Sequence, residues 1–176
     1  MRRRDEVDFT EFATAAVRRL RRTAYLMCGD WHRAEDAAQD ALVRVYKVWG
    51  RLDHQAGLNA YAHKAVVSVV LDQAKRPWRR EHVVDEPVER PLADTVGTID
   101  NRLLVIQALA ELPPRQRACV VLRHYTDLSL EETATVLGIS VGAVKSQSSR
   151  GLATLRELLN RPDLEEATDD REEVLS

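Results

Sequence analysis

The sequence predicts an all-α protein: two small helical domains joined by an extended linker, the second containing a helix-turn-helix. Three observations predict it. Good helix formers (Ala, Leu, Glu and Arg) are abundant, while 176 residues include 7 Gly and 6 Pro. Apolar residues recur at three- and four-residue steps over two long blocks, the period of an amphipathic helix. Between the blocks, residues 81–98 read EHVVDEPVERPLADTVGT, with Pro87 and Pro91, four acidic residues before Pro91 and no sustained period. That is the composition of a linker. The expected divisions are a first domain at 1–80, a linker at 81–98, a second domain at 99–160 and an acidic tail at 161–176.

The first domain carries three helical patterns. Phe9, Phe12, Ala16, Leu20, Ala24 and Met27 set the buried side of the first. The second, Arg33 to Trp49, gathers Ala34, Ala37, Ala38, Ala41, Leu42, Val45, Val48 and Trp49 into one arc. Its opposite face holds Glu35, Asp36, Gln39, Asp40, Arg44 and Lys47, with Val43 and Tyr46 set among them. Apolar side chains inside a charged face fit a partner surface, and equally the scattered surface apolars of any soluble protein. The third pattern runs from Tyr61 to about Arg76, with Ala62, Ala65, Val66, Val69 and Val70 inward and Lys64, Ser68, Asp72, Lys75 and Arg76 outward. His63 falls on the apolar side, as a packed residue would. The pattern ends in KRPWRR at 75–80, cations around Trp78. Such a cluster suits a nucleic-acid backbone with a stacked base; a solvated helix end is the plain alternative.

The second domain carries the most specific local signals. Pro113 and Pro114 in LPPRQR (112–117) stand at a helix start, where a missing N–H costs nothing. Ser129 and Glu132 have the spacing of a capping box, opening a helix to about Leu137. Gly138 suits the left-handed residue that ends it, and Ser140 caps the next helix. Two helices joined by a short glycine turn make a helix-turn-helix, whose second helix enters the major groove. On that helix Val141, Val144, Ser148, Leu152 and Leu155 share the inner face, and Gly142, Lys145, Ser146, Ser149 and Arg150 lie outward. Small residues permit close approach to DNA, and Lys145 and Arg150 reach base edges or phosphates.

Composition excludes several classes. The formal net charge is −2, unlike a free-standing DNA binder, so nucleic-acid contact must rest on local basic patches or on a larger partner. No apolar run approaches the roughly 18 residues a membrane helix needs. MRRRDEVDF lacks the apolar segment of a signal peptide, so a cytoplasmic protein without membrane insertion is expected. Cys28 and Cys119 read as small packed groups. The five histidines show no ligand spacing, and no cofactor or metal is expected. Asp36 and Asp40 could mimic a carboxylate pair, but with no third group nearby, and no phosphate loop or nucleophile motif, an enzyme is not expected.

Two sets of motifs carry a family resemblance. ALAELPPRQRACVVLRHYTDLSLEETATVLGISVGAVKSQSSRGLATLREL resembles the fourth domain of extracytoplasmic-function sigma factors of RNA polymerase, closest to the actinobacterial sigma-E-like group. RAEDAAQDALVRVYKVW, with YAHKAVVSVVLDQAKRPWRR, is similar to their second domain. The resemblance implies that Glu35, Asp36, Gln39, Asp40, Val43, Arg44, Tyr46 and Lys47 dock on core polymerase, whose largest and second-largest subunits are the expected partners. It implies that the loop from Asp53 through His54 to Leu58, with Tyr61, Lys64 and Ser68, reads and melts the minus-ten element, taking a base out of the stack. Lys75, Arg76, Arg79 and Arg80 would hold the backbone there. Ser140, Val141, Gly142, Lys145, Ser146, Ser149 and Arg150 would read the minus-thirty-five element, with Arg115 and Arg117 adding phosphate contacts. Promoter DNA and an anti-sigma protein complete the implied partners.

Three positions depart from the family pattern: Ser68 replaces an asparagine, Ala143 a common threonine and Gly151 a common alanine. The first alters the expected minus-ten preference, and the last should slightly weaken its helix. A free-standing helix-turn-helix regulator is the competing function; it accounts for the second domain and leaves the first without a task.

Overall fold

The computed structural model describes residues 3–51, 55–74 and 96–160. Among them every regular element is helical: α1 Arg3–Cys28, α2 Trp31–Val48, α3 Gln55–Ala74, α4 Val96–Glu111, α5 Pro114–Val120, α6 Leu130–Leu137 and α7 Val141–Leu159. A 3₁₀ turn, Trp49–Arg51, follows α2, and a π-helical turn, Val121–Tyr125, follows α5.

The first three helices pack on one another. Gly29 ends α1 with φ 71°, and Asp30 starts α2, its carboxylate accepting from the Arg33 N–H at 3.0 Å. Ala34, Ala37, Ala38, Ala41 and Val45 of α2 are wholly buried. A stripe of alanines lets α1 and α3 lie close while losing no side-chain entropy. The expected inner face of α1 is also in place: Ala16, Leu20, Ala24 and Met27 are buried, and Phe9 and Phe12 pack at the margin. His63 is buried, as its position on the apolar side predicts.

Three boundaries differ from the pattern-based ones. α1 begins at Arg3, and α3 begins at Gln55, six residues before Tyr61. Gly57 and Asn59 are poor helix formers, which hides the first turns of α3. Burial of Leu58 against the core outweighs that local preference. In the second domain α4 starts at Val96, inside the expected linker; 75–95 and the tail, 161–176, lie outside the described residues.

The cap and turn signals are realised bond for bond. Ser129 Oγ accepts from the Glu132 N–H at 3.0 Å while Glu132 Oε2 accepts from the Ser129 N–H at 2.7 Å. Gly138 closes α6 with φ 65°, and Ser140 Oγ accepts from the Ala143 N–H at 3.1 Å to open α7. α4, α5 and α6 all pack on α7. Gly151 has a larger role than a weak point in a helix. A Cβ there would stand 2.7 Å from Val120 Cγ2 and 3.4 Å from the Gln116 carbonyl, so the bare backbone sets how closely α5 and α7 meet.

The two domains touch. α5 and α6 pack on α3, and α4, α5 and the π-helical turn pack on α1. Val67, which the helical pattern leaves off the inner arc of α3, is 1% exposed. Both cysteines are free, Cys119 fully buried and Cys28 half-buried with its thiol donating to the Asp30 carbonyl at 3.3 Å. Burial raises both thiols, Cys119 to about 11, so both stay protonated near neutral pH. No described helix is long and apolar enough to cross a membrane.

Candidate functional surfaces

The α2 surface is built by a helix whose other side is entirely spent on the core. Asp36, Gln39, Asp40, Val43, Arg44, Tyr46 and Lys47 are exposed on it. Val43 is 52% exposed and Tyr46 45%. Tyr46 is held by the edge of Phe9, ring centroids 4.9 Å apart, and Phe9 in turn meets Trp49 at 5.2 Å. Glu35 stands apart from this group. It is half-buried, paired with Arg21 of α1 at 3.0 Å and accepting from Gln39 Nε2 at 3.4 Å. Arg21 also lies over Trp31, which stacks on Tyr25. Glu35 therefore ties α2 to α1 and orients Gln39, leaving Asp36 and Asp40 as the acidic groups open to a partner.

The α3 surface is only partly described. Lys64 is exposed, Tyr61 and Ser68 are half-buried, and the Ser68 hydroxyl reaches Asp72 at 3.5 Å. Leu58 is a correction: at 5% exposure it belongs to the core and offers nothing to DNA. Asp53, His54, Lys75, Arg76, Arg79 and Arg80 lie outside the described residues. His63, on the same helix, has its pKa lowered to about 4, first by burial and then by the nearby Arg19 guanidinium, so it is neutral at pH 7.

The α7 surface is the most complete. Ser140, Gly142, Lys145, Ser146, Ser149 and Arg150 are exposed and Val141 is half-buried, while Val144, Ser148, Gly151 and Leu155 face inward. Arg115 is also exposed. Arg117 is the second correction. Its guanidinium donates to the carbonyls of Ala110 at 2.5 Å, Leu112 at 3.1 Å and Met27 at 2.7 Å. These carbonyls lie at the C-terminal ends of α4 and α1, where helices leave acceptors unpaired and favour a cation. With its hydrogen-bonding edge occupied by backbone, Arg117 is not available to a phosphate. A cation soon after the end of α4 is the one sequence signal for this use, and it covers only the α4 carbonyls.

Comparison with known proteins identifies the family of the two domains. The family model for Sigma-70 region 2 matches residues 12–80, and that for Sigma-70 region 4 matches 102–155. RNA polymerase sigma-E factor of Streptomyces coelicolor is 34% identical over 171 residues, 95% of this chain and 94% of that protein. ECF RNA polymerase sigma factor SigM of Mycobacterium tuberculosis is 32% identical over 155 residues, 88% of this chain and 79% of that one. Among solved structures, sigma factor RpoE in complex with anti-sigma factor NepR from Bartonella quintana superposes with a TM-score of 0.70 at 26% identity, covering 88% of this chain and 99% of that one. With two region models in order and curated relatives matched over most of their length, the chain belongs to the extracytoplasmic-function family of RNA polymerase sigma factors.

Proposed function

We propose that this sigma factor divides its work among three helix faces. The open side of α2 docks on core polymerase through its largest subunit, α3 with its flanking segments reads and melts the minus-ten element, and α7 reads the minus-thirty-five element. The observation that carries this reading is the contrast between two exposed faces. On α2, Val43 and Tyr46 stand exposed among Asp36, Asp40, Arg44 and Lys47, the apolar centre and charged rim of a protein interface. On α7, Gly142, Ser146 and Ser149 surround Lys145 and Arg150, a face that lets a helix lie deep in the major groove.

The net charge of −2 supports the same division. A chain so poor in surplus cations releases few counterions and binds DNA weakly alone, so the polymerase supplies most phosphate contacts. The chain itself performs no catalysis, and it works in the cytoplasm with the polymerase. The Bartonella quintana neighbour was solved with an anti-sigma factor bound, which supports an anti-sigma partner for this chain too. Affinity purification from resting cells should recover a small repressor; recovery of polymerase alone would remove that partner. Run-off transcription with core polymerase on candidate promoters tests the main reading. Discrete transcripts that require the chain are expected, and their absence on every promoter of its own genome would overturn it.

A further inference from the structure

Glu35, Gln39, Val43 and Lys47 form a row on α2, each one turn from the next. Gln39, Val43 and Lys47 are exposed on the open face, and Glu35 is half-buried at its edge. Glu35 gives its two oxygens to two different groups. Its Oε2 accepts from Arg21 Nη1 of α1 at 3.0 Å, and its Oε1 accepts from Gln39 Nε2 at 3.4 Å. A carboxylate can only accept, so Gln39 turns its amide nitrogen toward Glu35. Its carbonyl oxygen is left pointing away from Glu35, on the face where Asp36 and Asp40 are also exposed.

A bond of 3.4 Å between two free surface side chains would not hold a rotamer. Here Glu35 is not free, because Arg21 is itself seated. The Arg21 guanidinium lies 5.5 Å from the centroid of the Trp31 ring, and its Nε is buried. Trp31 stacks on Tyr25 with ring centroids 3.9 Å apart and planes 6° from parallel. Tyr25 stands in the last turn of α1 and Trp31 at the first position of α2, so the stacked rings bridge the turn between the helices. A cation over an indole face is held by the ring quadrupole. The Arg21–Glu35 pair is 41% and 37% exposed, and such a pair adds little to stability. What it supplies is orientation.

We propose that Arg21 is a positioning residue for polymerase docking. Seated on Trp31, it fixes Glu35, and Glu35 fixes Gln39 with its carbonyl oxygen outward before the partner arrives. The proposal rests on the reading of the α2 face as the polymerase-docking surface, and Arg21 acts there through Gln39. Ordering a rotamer-rich side chain during binding weakens affinity by about two- to tenfold, a loss that a preset Gln39 avoids.

The test is a double-mutant cycle on core-polymerase affinity, using R21Q, Q39A and the two together. Roughly 0.3 M salt screens the long-range effect of the lost charge. R21Q should weaken binding about two- to tenfold in the unaltered chain and have no effect once Gln39 is alanine. An equal loss in both backgrounds, or no loss in either, would overturn the proposal. Nuclear magnetic resonance of the free chain reads the positioning without polymerase. The Gln39 side-chain amide should be ordered, and R21Q should loosen it while leaving the circular-dichroism spectrum unchanged. An amide equally mobile in both forms would also overturn the proposal. Should R21Q unfold the domain, E35A takes its place in both measurements with the same expectations. An unaltered chain that does not bind core sinks the docking reading itself; normal binding without coupling between Arg21 and Gln39 sinks only the positioning role.

Discussion

α2 and α7 are helices of nearly equal length, 18 and 19 residues, each buried along one side and open along the other. Their inner sides differ little in purpose: small and branched apolar groups that let neighbours approach. Their open sides differ in kind. α2 presents two exposed apolar side chains inside a charged ring, and α7 presents glycine and serines beside two cations. A protein partner rewards apolar area that leaves water, and a DNA groove rewards absence of bulk with charge-assisted bonds at the edge. Outer faces, more than cores, tell these two domains apart.

That difference can be broken at one face without touching the other. Reversing charge with D36K and D40K should lower core-polymerase affinity by more than a hundredfold, on the order of 3 kcal/mol, since like charges placed across an interface cost several kcal/mol. Circular dichroism should be unchanged, both residues being exposed. A pull-down showing unchanged affinity would remove α2 as the docking helix.

The domains also differ in what they bury. The first holds neutral His63, its pKa lowered to about 4, whereas His124 of the second is exposed. An unfolded chain binds this proton at about pH 6.5 and the folded one only near 4. Stability is therefore full above pH 6.5, falls as pH drops and levels off below about 4, a loss of up to about 3 kcal/mol. Urea unfolding at pH 7 and pH 4.5 should show the first domain losing most, and H63L should flatten that slope. An equal slope in the variant would place the acid sensitivity elsewhere.

On the α7 side, R150A should weaken recognition of the minus-thirty-five element by about 2 kcal/mol, roughly thirtyfold, with core affinity unchanged. Competition between matched and mismatched promoters by the holoenzyme reads this directly, and equal competition would free Arg150 from base or phosphate contact. The smallest effect expected is at Gly151. G151A should gain helix propensity but press on Val120, for a net loss of about 1 kcal/mol. Adding V120A should relieve the clash, and a more stable single variant would mean the helices can part without cost.

How much of this was legible beforehand depends on whether information was local. Ser129 with Glu132, Gly138 and Ser140 describe the helix-turn-helix within a dozen residues, and each made the bond its type implies. The alanine stripe of α2 was equally readable, because four alanines at helical spacing have one buried side. α3 was harder. Its run of valines, VVSVV, offers apolar groups all around, so the sequence alone did not show that Val67 is buried or that Leu58 joins the core. Gly151 and Arg117 depended on elements far away in the chain: Val120 against the one, the α1 carbonyl at Met27 beneath the other. Local chemistry marks caps and turns; contacts between elements need the fold.

A photo-crosslinking amino acid placed first at Val43 and then at Ser146, in holoenzyme bound to promoter DNA, tests the separation of the two faces most directly. Val43 should crosslink to the largest polymerase subunit and Ser146 to upstream DNA. Crosslinks from Val43 to DNA with none to polymerase, or from Ser146 to polymerase with none to DNA, would contradict it.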